Sequence, residues 1–128
     1  MRAEAQAHVD TIREALALLR RSLDWDRALR RLDELNARVE DQSLWNNPKE
    51  AQDVMRERRR LDEAISATKS IERELSDTVE LIEMAEAEGD NEMADEGTTA
   101  LAELAARADQ DKVKALLSGE AEIGRAHV

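Results

Sequence analysis

The densest concentration of reactive side chains is the run Arg56-Glu57-Arg58-Arg59-Arg60. Four guanidinium groups within five residues could clamp phosphate or carboxylate oxygens, because each presents a planar fork of donors that keeps its charge. The spacing also offers a plainer account. Arg58 has Asp62 four residues on, Arg59 has Glu63 four on, and Glu57 has Arg60 three on. On a helix such pairs are neighbours, worth about 0.2–0.5 kcal/mol each. A solvated helix face is therefore the ordinary reading of the cluster, and a docking contact is the sharper one.

The other candidates for chemistry fail on spacing. A di-iron bundle needs Glu-x-x-His twice with further carboxylates; His8 has Glu4 four residues away and no second motif exists. Asp90-Asn91-Glu92 hints at a calcium loop, but that loop needs Gly at its sixth position. Here Asp95 stands there and Gly97 comes two residues late. The carboxylates between Glu72 and Glu96 are many, yet a helix surface offers no dry pocket to tune one of them for proton transfer. Cysteine is absent, which removes disulfides, thiolate metal sites and thiol nucleophiles. No Gly-rich phosphate loop occurs, and no Ser has His and Asp partners in pattern. The residues thus give no catalytic site, no metal site and no cofactor. They describe a module that holds a surface in place.

The elements that would present such a surface are helices. Of the 128 residues, 38% are charged and 41% hydrophobic, with one Pro and four Gly. That is a composition of long helices or coiled coil. Two Trp are the only aromatics, which disfavours a strand-rich fold. The longest apolar run, Ala15 to Leu19, is too short to cross a bilayer. The first residues carry Arg2, Glu4 and Asp10 and do not read as a signal peptide. A cytoplasmic protein with no membrane association is expected. The net charge of −11 is uneven: residues 1–60 sum to +1 and residues 61–128 to −12. An acidic half repels phosphate and no aromatic platform invites base stacking, so no autonomous nucleic-acid binding is expected.

Apolar spacing predicts four helices. The first runs from about Arg2 to Ser22 with a stripe of Val9, Ile12, Leu16, Leu19 and Leu23. Asp24 is expected to N-cap the second, Trp25 to Glu40, which turns Leu29, Leu32, Leu35 and Val39 inward. After a polar break at residues 41–43, Asn47-Pro48-Lys49-Glu50 reads as a helix start: Asn caps, Pro takes the first position, and Glu50 reaches back. The third helix runs from Pro48 to about Glu88, roughly 60 Å, on a seam of Val54, Leu61, Ile65, Thr68, Ile71 or Glu72, Leu75, Val79 and Ile82. Gly89 stops it. The fourth spans Asn91 to Leu117 through Met93, Leu101, Leu104, Ala108, Ala115 and Leu116, with Gly97 a weak spot and Gly119 its end. Trp25 and Trp45 are expected as core anchors at helix starts. The fold class is all-α: an antiparallel bundle of about four helices, with helices one and two laid against a hairpin of three and four.

Leu23-Asp24-Trp25-Asp26, Arg31 to Asn36, Leu44-Trp45-Asn46-Asn47-Pro48, Ala51-Gln52, Glu57-Arg58, Leu61-Asp62 and Ser118-Gly119-Glu120 together resemble bacterial peptide chain release factor 2, a class I release-factor family. The likeness covers nearly the whole chain to Glu120, and the Trp-Asn-Asn-Pro segment followed by Ala-Gln is its most specific part. Asp24, Trp25, Trp45, Asn47 and Pro48 are its structural signature. The resemblance implies the N-terminal helical domain of a factor that reads UGA and UAA on the ribosome and triggers peptidyl-tRNA hydrolysis. It further implies contact with the large-subunit stalk base and bearing on the GTPase release factor. The family's Ser-Pro-Phe and Gly-Gly-Gln tripeptides are absent here, so no catalysis of release is expected from this chain. On that reading the ribosome-docking face is Arg56, Arg59 and Arg60 with the bundle's exposed tips, and the chain is a monomer. The rival from another class is a free-standing coiled-coil or adaptor protein, which would self-associate.

Residues 1–121 form the expected domain. Residues 122–128, Glu-Ile-Gly-Arg-Ala-His-Val, are expected to break the helical pattern. They are what GAG-ATC-GGA-AGA-GCA-CAC-GTC encodes, and all but the first base of that string reads as a sequencing-library adapter. The tail is therefore expected to be adapter read-through on a truncated gene.

Overall fold

The computed structural model of the protein describes the backbone of residues 1–126 and the side chains of residues 1–118. Four α-helices and one short 3-10 helix make up the fold, with no strand among the described residues. The helices are α1 (Ala3–Leu23), α2 (Trp25–Glu40), α3 (Pro48–Glu88) and α4 (Asn91–Ala126), with the 3-10 helix at Gln42–Asn46. The expected all-α bundle on a long hairpin is what the chain builds.

α3 is the spine and the other three helices run antiparallel to it. Arg20 of α1 meets Glu72 and the terminal amine of Met1 meets Glu86 at 3.4 Å. Arg31 and Arg38 of α2 meet Glu57 and Glu50, and Arg107 of α4 meets Glu74. α1 and α4 consequently lie parallel to each other, joined at one end by Arg2 and Asp95, 2.6 Å apart. α1, α4 and the C-terminal half of α3 form a three-helix bundle around Val9, Ile12, Leu16, Ile71, Leu75, Ile82, Leu101 and Leu104. α2 and the 3-10 helix cover the N-terminal half of α3 around Leu35, Leu44, Val54, Leu61 and Ile65. The core thus comes in two clusters on one spine. Thr68, buried between Ile65 and Ile71 on the α3 seam, hides its hydroxyl by donating to Ala64 O at 3.0 Å.

Four expectations are corrected here. Asp24 does not N-cap α2 with its side chain: it sits in the left-handed region at φ 54°, and its N–H bonds back to Arg21 O at 3.1 Å. It ends α1 and bends the chain, so that α2 continues down α3 with a new face turned inward. Glu50 does not reach back to Asn47; its carboxylate pairs with Arg38 across the α2–α3 interface. Along α4 the inward positions are Ala94, Leu101, Leu104, Ala105 and Ala108, whereas Met93 and Leu116 are exposed. The helix also passes through Gly119 and reaches Ala126, so the pattern does not break at Glu122. His127 and Val128 lie outside the described residues.

Gly97 is more than a weak spot. It is buried in α4 where that helix crosses α3, and a methyl group there would run into Cγ1 of Ile82. The close approach replaces the lost helix propensity with backbone-to-side-chain packing.

Candidate docking surface

The surface around the start of α3 is built from the turn that precedes it. Asp41 Oδ1 accepts from the N–H and the hydroxyl of Ser43, at 3.0 and 2.9 Å. These bonds to the charged form, the backbone one first, hold the Asp41 carboxyl below the usual carboxylate range. They fix the 3-10 helix so that Leu44 enters the α2–α3 core cluster (the lower core) and Trp45 turns out. Trp45 is 52% exposed, and its indole N–H donates to Val39 O at 3.1 Å. Trp45 is therefore a fixed surface residue, contrary to its expected place in the core. Trp25 is half-buried against the lower core, with the Arg20 guanidinium 4.3 Å from its ring centroid. Asn47 Oδ1 accepts from Glu50 N at 3.2 Å and Pro48 takes the first turn of α3, as the sequence predicts.

The arginine run divides into parts with different work. Among the described residues, none of the expected pairs Arg58–Asp62, Arg59–Glu63 or Glu57–Arg60 forms a salt bridge. Glu57 instead receives both Nε and Nη2 of Arg31 from α2, at 2.6 and 2.9 Å. That fork holds the Glu57 carboxyl below its ordinary range and pushes the Arg31 guanidinium up. Arg58 donates from Nε to Asn36 Oδ1 at 2.6 Å. Glu57 and Arg58 are thus staples between α2 and α3. Arg56, Arg59 and Arg60 remain exposed; among the described residues Asp53, 3.8 Å from Arg56, is the one carboxylate within salt-bridge distance of any of them.

These three do not share one patch. Arg56 and Arg59 rim a shallow groove of about 440 Å³ whose walls include Trp45, Pro48, Ala51, Gln52 and Met55. Arg60 belongs to a separate depression of about 710 Å³ with Arg27, Arg30, Arg31, Glu34 and Glu57. Arg27 and Arg30 are cations that sequence reasoning passed over. Their signal was their spacing on the polar side of α2, visible only once α2 is known to lie along α3. The tip where α3 turns into α4 exposes Leu81, Met84 and Met93 among glutamates, and α4 exposes Val113, Leu116 and Leu117 farther along.

Among the described residues, no group of three or more His, Asp or Glu is placed to hold a metal ion, and His8 is half-buried on α1. No described helix is long and apolar enough to cross a membrane. What the geometry offers is exterior: a groove, two cationic patches and apolar tips.

The family model for the PCRF domain matches residues 28–127. The chain belongs to the PCRF domain family. Its relatives include a peptide chain release factor 2 from Paramagnetospirillum magneticum, 49% identical over 122 residues, which are 95% of this chain and 33% of that protein. Those of Caulobacter vibrioides and a Ruegeria species are 52% and 45% identical over 77% and 94% of the chain. They are covered over 27% and 32% of their own lengths. The chain spans about a third of the length of the curated relatives it matches. The PCRF match spans the Trp45–Pro48 turn and Arg56, Arg59 and Arg60, while Arg27 lies just before it; with these relatives it bears out the release-factor resemblance.

Proposed function

We propose that this chain is the N-terminal helical domain of a class I release factor that directs termination at UGA and UAA, and that its part in translation termination is docking. The observation that carries this is the PCRF match over residues 28–127, joined to relatives named peptide chain release factor 2 at 49–52% identity. On this reading the chain works in the cytoplasm and supplies no bond-making group. Its partners are the ribosome at the large-subunit stalk base and the GTPase release factor. Arg56, Arg59 and Arg60 would contribute to the docking face, since they are the members of their run left exposed once Glu57 and Arg58 hold α2. Residues 122–128 would be adapter-encoded; genomic DNA that runs on in frame with other codons would refute that.

The test grafts residues 1–121 in place of the corresponding segment of a full-length release factor 2. The expected result is termination at UGA and UAA, with ribosome association that weakens when Arg56, Arg59 and Arg60 are changed to Glu. A graft that supports termination but ignores the three substitutions would end their docking role. A graft that folds and fails to support termination would end the wider reading. The free-standing coiled-coil alternative predicts self-association of the chain, so sedimentation at rising concentration separates the two: a release-factor domain stays monomeric.

A further inference from the structure

We propose that the groove between Trp45 and the Arg56–Arg59 edge of α3 is a docking site for an acidic amphipathic polypeptide segment, one that inserts an apolar side chain beside Trp45 and sets carboxylates on the two arginines. The assignment deepens the docking reading above and rests on it only for the choice of face.

Four observations converge. Trp45 stays 52% exposed although its indole N–H is satisfied by Val39 O, so the ring is held outward by a bond and has no need of water at its polar end. Along the groove the ring is continued by Pro48, Ala51 and Met55, an apolar surface on a rigid helix whose first turn is capped by Asn47. Trp, Met and Arg are the residues that protein interfaces favour, and a fixed aromatic costs little entropy when it is covered. Finally, Arg56 and Arg59 stand one helical turn apart at the rim, with Asp53 at 3.8 Å from Arg56 the one carboxylate within salt-bridge distance of either among the described residues.

Charge complementarity selects the occupant. Two cations one turn apart match carboxylates spaced three or four residues along a partner helix, and they repel a basic segment. A nucleic acid brings a charge with every nucleotide and meets the field of a chain whose net charge is −11. A peptide with a few carboxylates and an apolar anchor meets only the local pair. The groove is small, so the contact is weak and exchanges quickly.

Replacing Trp25 by Phe leaves Trp45 as the single fluorophore of the 128-residue chain. The probe is a short synthetic amphipathic helix with leucines on one face and glutamates on the other, titrated at low salt. The expected result is a saturable blue shift of Trp45 emission. Binding should weaken about tenfold in Arg56→Glu/Arg59→Glu, and weaken again at high salt. Both arginines are exposed, and far-ultraviolet circular dichroism of the variant checks that it keeps the helical fold. The proposal is overturned by no saturable shift, by equal binding of a peptide with Lys in place of Glu, or by tighter binding of an oligouridylate. Concentration-dependent burial of Trp45 without peptide would overturn it too, by assigning the groove to a second copy's Leu81–Met84 end. Loss of peptide binding alongside intact termination by the grafted factor sinks the groove alone and leaves the domain's role standing.

Discussion

Gly97 and Ile82 show how a single contact sets the sign of a substitution. An alanine at position 97 gains about 1 kcal/mol of helix propensity, but its methyl would collide with Ile82 Cγ1 in a packed crossing. Overpacking of that kind costs about 1–3 kcal/mol, so Gly97→Ala is expected to destabilise the chain, as measured by urea unfolding. The same change made together with Ile82→Ala finds room, and there it should be neutral or stabilising. Additive costs in that double-mutant cycle would show that the crossing relaxes freely and the glycine serves no packing purpose. A second residue-scale expectation concerns protons. Glu57 has its carboxyl lowered below the ordinary value of 4.5, first by the Arg31 hydrogen bond. A lowered folded value means stability that is present above pH 4.5 and lost as pH falls through the folded value. Thermal melts of Glu57→Gln should therefore lie below wild type at neutral pH and converge with it in acid.

At the scale of elements, the start of α3 was readable because its signal is local. Asn47 and Pro48 act within one turn, and Asn47→Ala is expected to cost about 1 kcal/mol by loss of the bond from Glu50 N, read as a lower melting temperature with unchanged far-ultraviolet dichroism at 25 °C. The heptad seam of α3 was equally legible, since Val54 through Ile82 must face whatever packs on the spine. The failures share a cause. Asp24 was read as a side-chain cap because its residue type fits, whereas its φ of 54° depends on where α1 and α2 each have to lie on α3. Glycine accepts that conformation without the clash Cβ makes with its own carbonyl, so Asp24→Gly should not destabilise the chain and Asp24→Val should. A tryptophan at a helix start reads as a core anchor, but Leu44 beside Trp45 takes the core position, and the 3-10 turn sends its neighbour out. The arginine pairs expected within α3 gave way to Arg31 and Asn36, partners from α2 that no local spacing could announce.

The whole molecule has two cores that share one helix, and its stability should divide accordingly. Among the described residues, the bundle of α1, α3 and α4 buries a cluster of twelve residues from three helices, while α2 and the 3-10 turn close a cluster of seven against one side of α3. α2 has contacts with α3, α1 and the 3-10 turn and none with α4 among the described residues. Opening α2 therefore exposes the smaller cluster and leaves the three-helix bundle intact, which makes it the lower-energy partial unfolding. Hydrogen exchange should find the amides of Trp25–Glu40 protected less than those at the centres of α1 and α4. Leu35→Ala sharpens the point, because Leu35 is wholly buried in the small cluster alone. Its loss should cost about 2–5 kcal/mol there and accelerate exchange in α2 and the first turns of α3, while the centre of α4 keeps its protection. If every amide accelerated together, the two clusters would be one cooperative unit. If only α2 and the first turns of α3 respond, that end of the molecule opens and re-forms while the three-helix bundle stays folded.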